Sequence, residues 1–223
     1  MYVDGQYLSK HPTWHAEDSQ WKAQKIIKIM ERNSLNPKKV CEVGCGAGKI
    51  LYFLSLSLPD CVFYGCDISP QAIEMAEEIK SDRIHFSCTA FPAGHFDTVL
   101  VIDVVEHIPD YFSFLQRVKE LGETKIFHLP LDLSILNLLR PHFFDKARAK
   151  SGHLHYWAAE SALWMLMDAG YEIVDSFYTD GTEVPGKTFA AEALRRVTQI
   201  SAKISPNLAS RLFGGYSLMV LAK

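Results

Sequence analysis

A chain of 223 residues, 48% hydrophobic and 22% charged, has the length and composition of one globular domain with a substantial core. Its formal charge of −3 and its interspersed basic and acidic residues leave no basic face to track a phosphate backbone, which argues against long nucleic-acid partners. The opening Met1-Tyr-Val-Asp-Gly-Gln lacks a signal peptide's basic and apolar regions, no apolar run reaches membrane-spanning length, and the five cysteines form no CxxC pair. A cytoplasmic protein with reduced, buried thiols, no transmembrane segment and no zinc is therefore expected.

Residues 19–32 carry a helical pattern ahead of the first strand. Strands are then expected at 39–43, 61–66, 83–87, 96–103 and 124–129, with helices at 49–58, 70–80 and 111–121 between them. Ser69 before Pro70 makes a helix start, a hydroxyl N-cap followed by proline at the first helical position. Strands alternating with helices imply right-handed crossovers and a parallel sheet. Further on, a helix at 160–169 stopped by Gly170, a strand at 171–178, an amphipathic helix at 189–204 and a closing strand at 216–221 complete the reading.

The decisive segment is Val40-Cys-Glu-Val-Gly-Cys-Gly-Ala-Gly-Lys-Ile50, where a strand ends, three alternate glycines turn the backbone and a helix begins. Glycine permits the positive φ of the turn and the close approach of a ligand, and the helix start offers unpaired N–H groups. A dinucleotide fingerprint would need glycine at position 49, which is Lys; the pattern is E-x-G-x-G-x-G, with Glu42 suited to an ammonium rather than a pyrophosphate. After the second strand comes Asp67, a carboxylate able to accept both hydroxyls of a ribose. Together they indicate a nucleoside-containing cofactor.

With these segments, F-Y-G-C-D-I-S, F-D-T-V-L-V-I-D-V-V-E-H-I-P-D and G-H-L-H-Y-W, the chain resembles the class I S-adenosylmethionine (SAM)-dependent methyltransferases, especially the group with ubiquinone-biosynthesis O-methyltransferases. The resemblance implies a Rossmann-like, doubly wound seven-stranded α/β sheet, mostly parallel, with an antiparallel last strand beside the sixth and helices on both faces. It implies that Gly44, Cys45, Gly46 and Gly48 wrap the methionine and ribose of SAM, that Glu42 helps hold the methionyl part, that Asp67 binds the ribose and Ile68 packs on adenine. Asp103 and Val104 would sit near the methionyl end. Apart from the resemblance, the aromatic N-terminal segment read as a lid leaves Lys22 able to reach the SAM carboxylate. Where the family often has Asp after the third strand, Thr89 or Ala90 stands here.

Methyl transfer needs an aligned nucleophile, excluded water and, for a hydroxyl or protonated amine, a base. The candidates are His107, His128, His153 and His155. His107 with Glu106 either opens a helix and braces the cofactor floor or serves as base. The D-x-x-E-H string also resembles the E-x-x-E-H metal motif of small-RNA 2′-O-methyltransferases, but the E-H pair is ordinary in metal-free relatives and no metal is expected. His153 and His155 share one face if their segment is extended.

The chain reads as a single domain over 1–223, with an aromatic N-terminal cap or lid (1–35) and variable insertions at 131–155 and 180–214 near the acceptor pocket. The apolar stretch at 131–152 is a core helix, a substrate cover, a dimer surface or a membrane-surface contact. The expected reaction moves a methyl group from SAM to oxygen or nitrogen of a small molecule, yielding S-adenosylhomocysteine. The alternatives are a metal-assisted 2′-O-type enzyme acting on a nucleotide or RNA end, a non-catalytic SAM-binding protein, or a nicotinamide-dependent oxidoreductase.

Overall fold

The computed structural model describes residues 14, 16–180, 201 and 205–223. Strands β1 (Lys39–Val43), β2 (Val62–Cys66), β3 (Ile84–Ser87), β4 (Phe96–Ile102), β5 (Gly122–Leu131), β6 (Ile173–Asp180) and β7 (Tyr216–Ala222) form one sheet in the order β3-β2-β1-β4-β5-β7-β6. The β3-to-β5 part is parallel, and β7 runs antiparallel to β5 and to β6 on either side of it. The order reverses between β1 and its two neighbours, which places a crevice at the carboxyl ends of β1 and β4.

The side chains of β4 show how the two faces are filled. Val99 and Val101 enter one core with Leu115 and Val118 of α4 (Tyr111–Lys119) and Leu166 of α7 (Ala159–Asp168). Leu100 and Ile102 point the other way, onto Ile26 and Ile29 of α1 (Ser19–Arg32) and Leu51 and Leu54 of α2 (Lys49–Ser57). Helix α3 (Pro70–Glu77) begins as expected, the Ser69 hydroxyl accepting from the Ala72 N–H at 3.3 Å. All five cysteines are free thiols, with only Cys88 exposed.

Three expectations are revised or left open. Residues 131–152 form no single helix: α5 (Ile135–Leu139) and α6 (Phe143–Lys146) are separated at Arg140, whose extended ψ of 118 is what the following Pro141 demands. Leu138 and Leu139 are 63% and 76% exposed, so this stretch is not a core helix. An unforeseen helix, α8 (Pro206–Phe213), follows an N-cap at Ser205. The helix expected at 189–204 falls almost wholly outside the described residues. Among the described residues no helix is long and apolar enough to cross a membrane.

Candidate functional site

The site is built where β1 and β4 end. Gly44 and Gly46 have φ of 76 and 52, and the N–H groups of Gly44 and Cys45 donate to the Cys66 carbonyl at 2.8 and 3.0 Å. A Cβ on Gly44 would lie 2.5 Å from Val104 Cγ2, and one on Gly46 2.5 Å from Trp14 Cδ1. Glycine here thus serves both the turn and the tight walls above it. The turn also aims Asp67: its carboxylate accepts from Gly46 N–H at 3.0 Å and from Ser69 N–H at 2.8 Å. Burial pushes the Asp67 carboxyl upward and these backbone donors only partly offset it.

Two further acids converge from β1 and β4. Glu42 is buried, and its Oε2 has no hydrogen-bond partner among the described residues. Burial raises its carboxyl well above the usual range, Lys22 opposing the rise. A buried, unpaired acceptor of this kind fits a ligand that brings its own donor, such as an ammonium group. Asp103, at a strained φ of 54, is gripped from both sides: Lys22 Nζ lies 2.8 Å from Oδ2 and His128 Nδ1 2.6 Å from Oδ1. Burial alone would raise the Asp103 carboxyl, but His128 and Lys22 together outweigh it and hold it low.

Two joined compartments result. A polar cleft of about 290 Å³ is bordered by Lys22, Glu42, Asp103, Glu106, His107 and His153. An apolar one of about 400 Å³ is bordered by Asp67, Ile68, Ala90, Phe91, Val104 and Phe114. Trp14, Gly44 and His107 border both. Cys45 and Gly46 line the polar cleft, whereas Gly48 caps α2 at the turn's far end. Thr89 is exposed and paired with Ser87 at 3.3 Å, so Ala90 supplies that part of the wall.

The four candidate histidines part company. His107 and His153 meet edge to face, with ring centroids 5.1 Å apart, and both line the polar cleft. His107 Nδ1 lies 3.2 Å from the Gly152 carbonyl, and His153 Nδ1 lies 2.7 Å from Asp132 Oδ2. His128 sits behind Asp103, with Nε2 2.8 Å from Thr179 Oγ1, and is outside the cleft wall. His155 turns away, stacked on Trp157 and bound through Nε2 to the Ile108 carbonyl at 2.9 Å. His153 and His155 do not share a face because the N–H groups of Leu154 and His155 both donate to the Glu106 carbonyl, bending the chain there.

Thr179 on β6 was missed by the sequence reading, since only the antiparallel pairing with β7 brings it beneath the site. Of the N-terminal cap, Trp14, Asp18, Ser19 and Lys22 line the polar cleft; residues 1–13 and 15 lie outside the described residues.

Comparison with known proteins gives this geometry a context. A family model described as a methyltransferase domain matches residues 14–176. Ubiquinone biosynthesis O-methyltransferase of Haemophilus ducreyi is 27% identical over 143 residues, covering 53% of this chain and 60% of that enzyme. The human tRNA N(3)-cytidine methyltransferase is 23% identical over 198 residues, covering 77% of this chain and 69% of that protein. The chain spans less than two thirds of the first curated relatives it matches. Among solved structures, N-methyltransferase NodS from Bradyrhizobium japonicum, in complex with S-adenosylhomocysteine, shares the fold with a TM-score of 0.62 at 16% identity and covers 98% of each chain.

Proposed function

Because the chain belongs to the class I SAM-dependent methyltransferase family, we propose that it transfers a methyl group from SAM to an oxygen or nitrogen of a small-molecule acceptor. The observation that carries this reading is the pair of joined compartments, one polar and charged, one apolar, meeting at Gly44 with Asp67 bordering the apolar side. An amino-acid moiety fits the first, adenine the second, and the ribose between them reaches Asp67.

When bound, SAM supplies an electrophilic sulfonium methyl. The residues around it do the rest. Glu42 accepts the ammonium, and Lys22, which has hydrogens to spare beyond its bond to Asp103, meets the carboxylate. Asp67 holds the ribose hydroxyls; Ile68, Ala90 and Phe91 flank the base, so adenine recognition runs through packing rather than a carboxylate. His107 and His153 face the acceptor and offer basic nitrogens, while His128 positions Asp103. The absence of a basic excess favours a small acceptor over long RNA.

Thermal unfolding with SAM, S-adenosylhomocysteine, NAD or NADP added separately tests this. A ligand at ~100 times its dissociation constant adds ~2.7 kcal/mol, a shift of a few degrees. Stabilisation by SAM or S-adenosylhomocysteine is expected, with Asp67→Ala losing the shift while melting cooperatively. Stabilisation only by a nicotinamide dinucleotide would overturn the assignment.

A further inference from the structure

The short helix α5 is built inside out. Its N-cap Ser134 and its middle residue Asn137 are buried, whereas Ile135, Leu138 and Leu139 are each more than half exposed. The polar side is fixed in place. The Ser134 hydroxyl accepts from the Asn137 N–H at 3.2 Å, and the Asn137 side-chain amide donates to the Asp132 carbonyl at 3.0 Å. A Cβ on Gly214, at the end of α8, would fall 2.7 Å from Ser134 Oγ, so the two elements are in close contact there. Rolling the leucines inward would break these bonds and strand buried polar groups. A surface helix ordinarily turns its apolar side to the core, and a contiguous exposed apolar patch marks a contact.

The charges that follow the leucines identify the contact. Arg140, Lys146, Arg148 and Lys150 are all exposed, against a single acid, Asp145, which is paired with His142 at 3.1 Å. This concentration of positive charge sits on a chain whose formal charge is −3. Phe144 of α6 packs edge to face on Tyr156, ring centroids 4.8 Å apart, and the Tyr156 hydroxyl bonds to the Phe144 and His153 carbonyls at 3.2 and 3.0 Å. The patch is thereby fastened to the segment that borders the polar cleft. Exposed leucines beside lysines and arginines suit an acidic lipid surface, the apolar side chains entering the boundary of headgroups and acyl chains and the cations meeting phosphates. A two-fold pairing of this chain through the same face would set like charges together, and a phosphate backbone alone would leave the leucines in water.

We propose that α5, α6 and the turn Ala147–Ser151 dock on a bilayer surface carrying anionic phospholipid, with Ile135, Leu138 and Leu139 entering the interface and Arg140, Lys146 and Arg148 holding the headgroups. Attachment is peripheral, since among the described residues no helix can cross a membrane. Ser151 and His153 border the polar cleft, so the docked protein holds that cleft beside the headgroups. Docking does not depend on the reaction carried out there.

Co-sedimentation of the full chain with vesicles of phosphatidylcholine, alone or mixed with phosphatidylserine, tests this. Pelleting with the mixed vesicles and not with the neutral ones is expected, weakening as added salt screens the headgroups. Leu138→Gln combined with Leu139→Gln should weaken binding about tenfold or more. Lys146→Gln combined with Arg148→Gln should weaken it roughly 30-fold. Both pairs should keep the wild-type melting temperature, because the changed side chains are exposed. Leu56→Gln, which alters an equally exposed leucine on α2, should change nothing. No pelleting with the mixed vesicles, equal pelleting with the neutral ones, or unchanged binding by the leucine pair would overturn the proposal. In the last case, capture of polyuridine RNA would assign the face to a phosphate chain instead.

Discussion

At the scale of single residues, the site is a set of acids each held by a different device. Glu42 shows the consequence. Burial lifts its carboxyl well above the usual range, so folding takes up a proton between the unfolded value of ~4.3 and the raised one. The ligand-free protein should therefore lose stability as pH rises through that window. Glu42→Gln should flatten the fall in melting temperature as pH rises above ~4.3 and weaken S-adenosylhomocysteine binding; a parallel wild-type slope would contradict this account. The glycine turn was legible in the sequence because its geometry is local, and Asp67 because it directly follows the strand paired with β1. The division between His153 and His155 was not, since it depends on which backbone carbonyl the segment is clamped to. Thr89 and Ala90 were ambiguous for the same reason: adjacent residues diverge only once the loop after β3 takes its course.

At the scale of elements, alternation of apolar strands with amphipathic helices gave the β1-to-β5 half of the sheet, with ends within about two residues. Neighbouring pairing, which the sequence does not display, carries β5 on both ends past the expected 124–129, to Gly122 and Leu131. Gly122 illustrates what such pairing demands: a Cβ there would lie 2.3 Å from the Phe96 carbonyl oxygen, which is backbone and cannot turn aside. Gly122→Ala should cost about 1–3 kcal/mol by overpacking, lowering the urea midpoint, while the folded fraction keeps wild-type S-adenosylhomocysteine affinity. A loss of affinity without loss of stability would show that the β4–β5 pairing shapes the site more directly than this geometry implies. The stretch after β5 was misleading because its leucines suggest a core helix and only Pro141 marks the break.

At the scale of the whole molecule, the antiparallel insertion of β7 ties the site to the far edge of the sheet. Asp103 holds His128, His128 reaches Thr179 on β6, and the Thr179 hydroxyl donates to the Ser217 carbonyl on β7 at 3.3 Å. Thr179→Val leaves His128 Nε2 buried without a partner. It should lower stability by about 1–3 kcal/mol and raise the SAM dissociation constant through a loosened Asp103, measurable by calorimetry on the same variant. Resemblance at the sequence level supplied the antiparallel last strand, but nothing in the chain announced this relay, because it exists only in the register of β5, β6 and β7.

Trp14 borders both compartments, its indole edge against Gly46. On the proposed reading, nucleoside and acceptor would both lie against this indole. If methyl transfer proceeds as proposed, binding is expected to be ordered, with the nucleoside first in and last out, and product-inhibition patterns with S-adenosylhomocysteine check it.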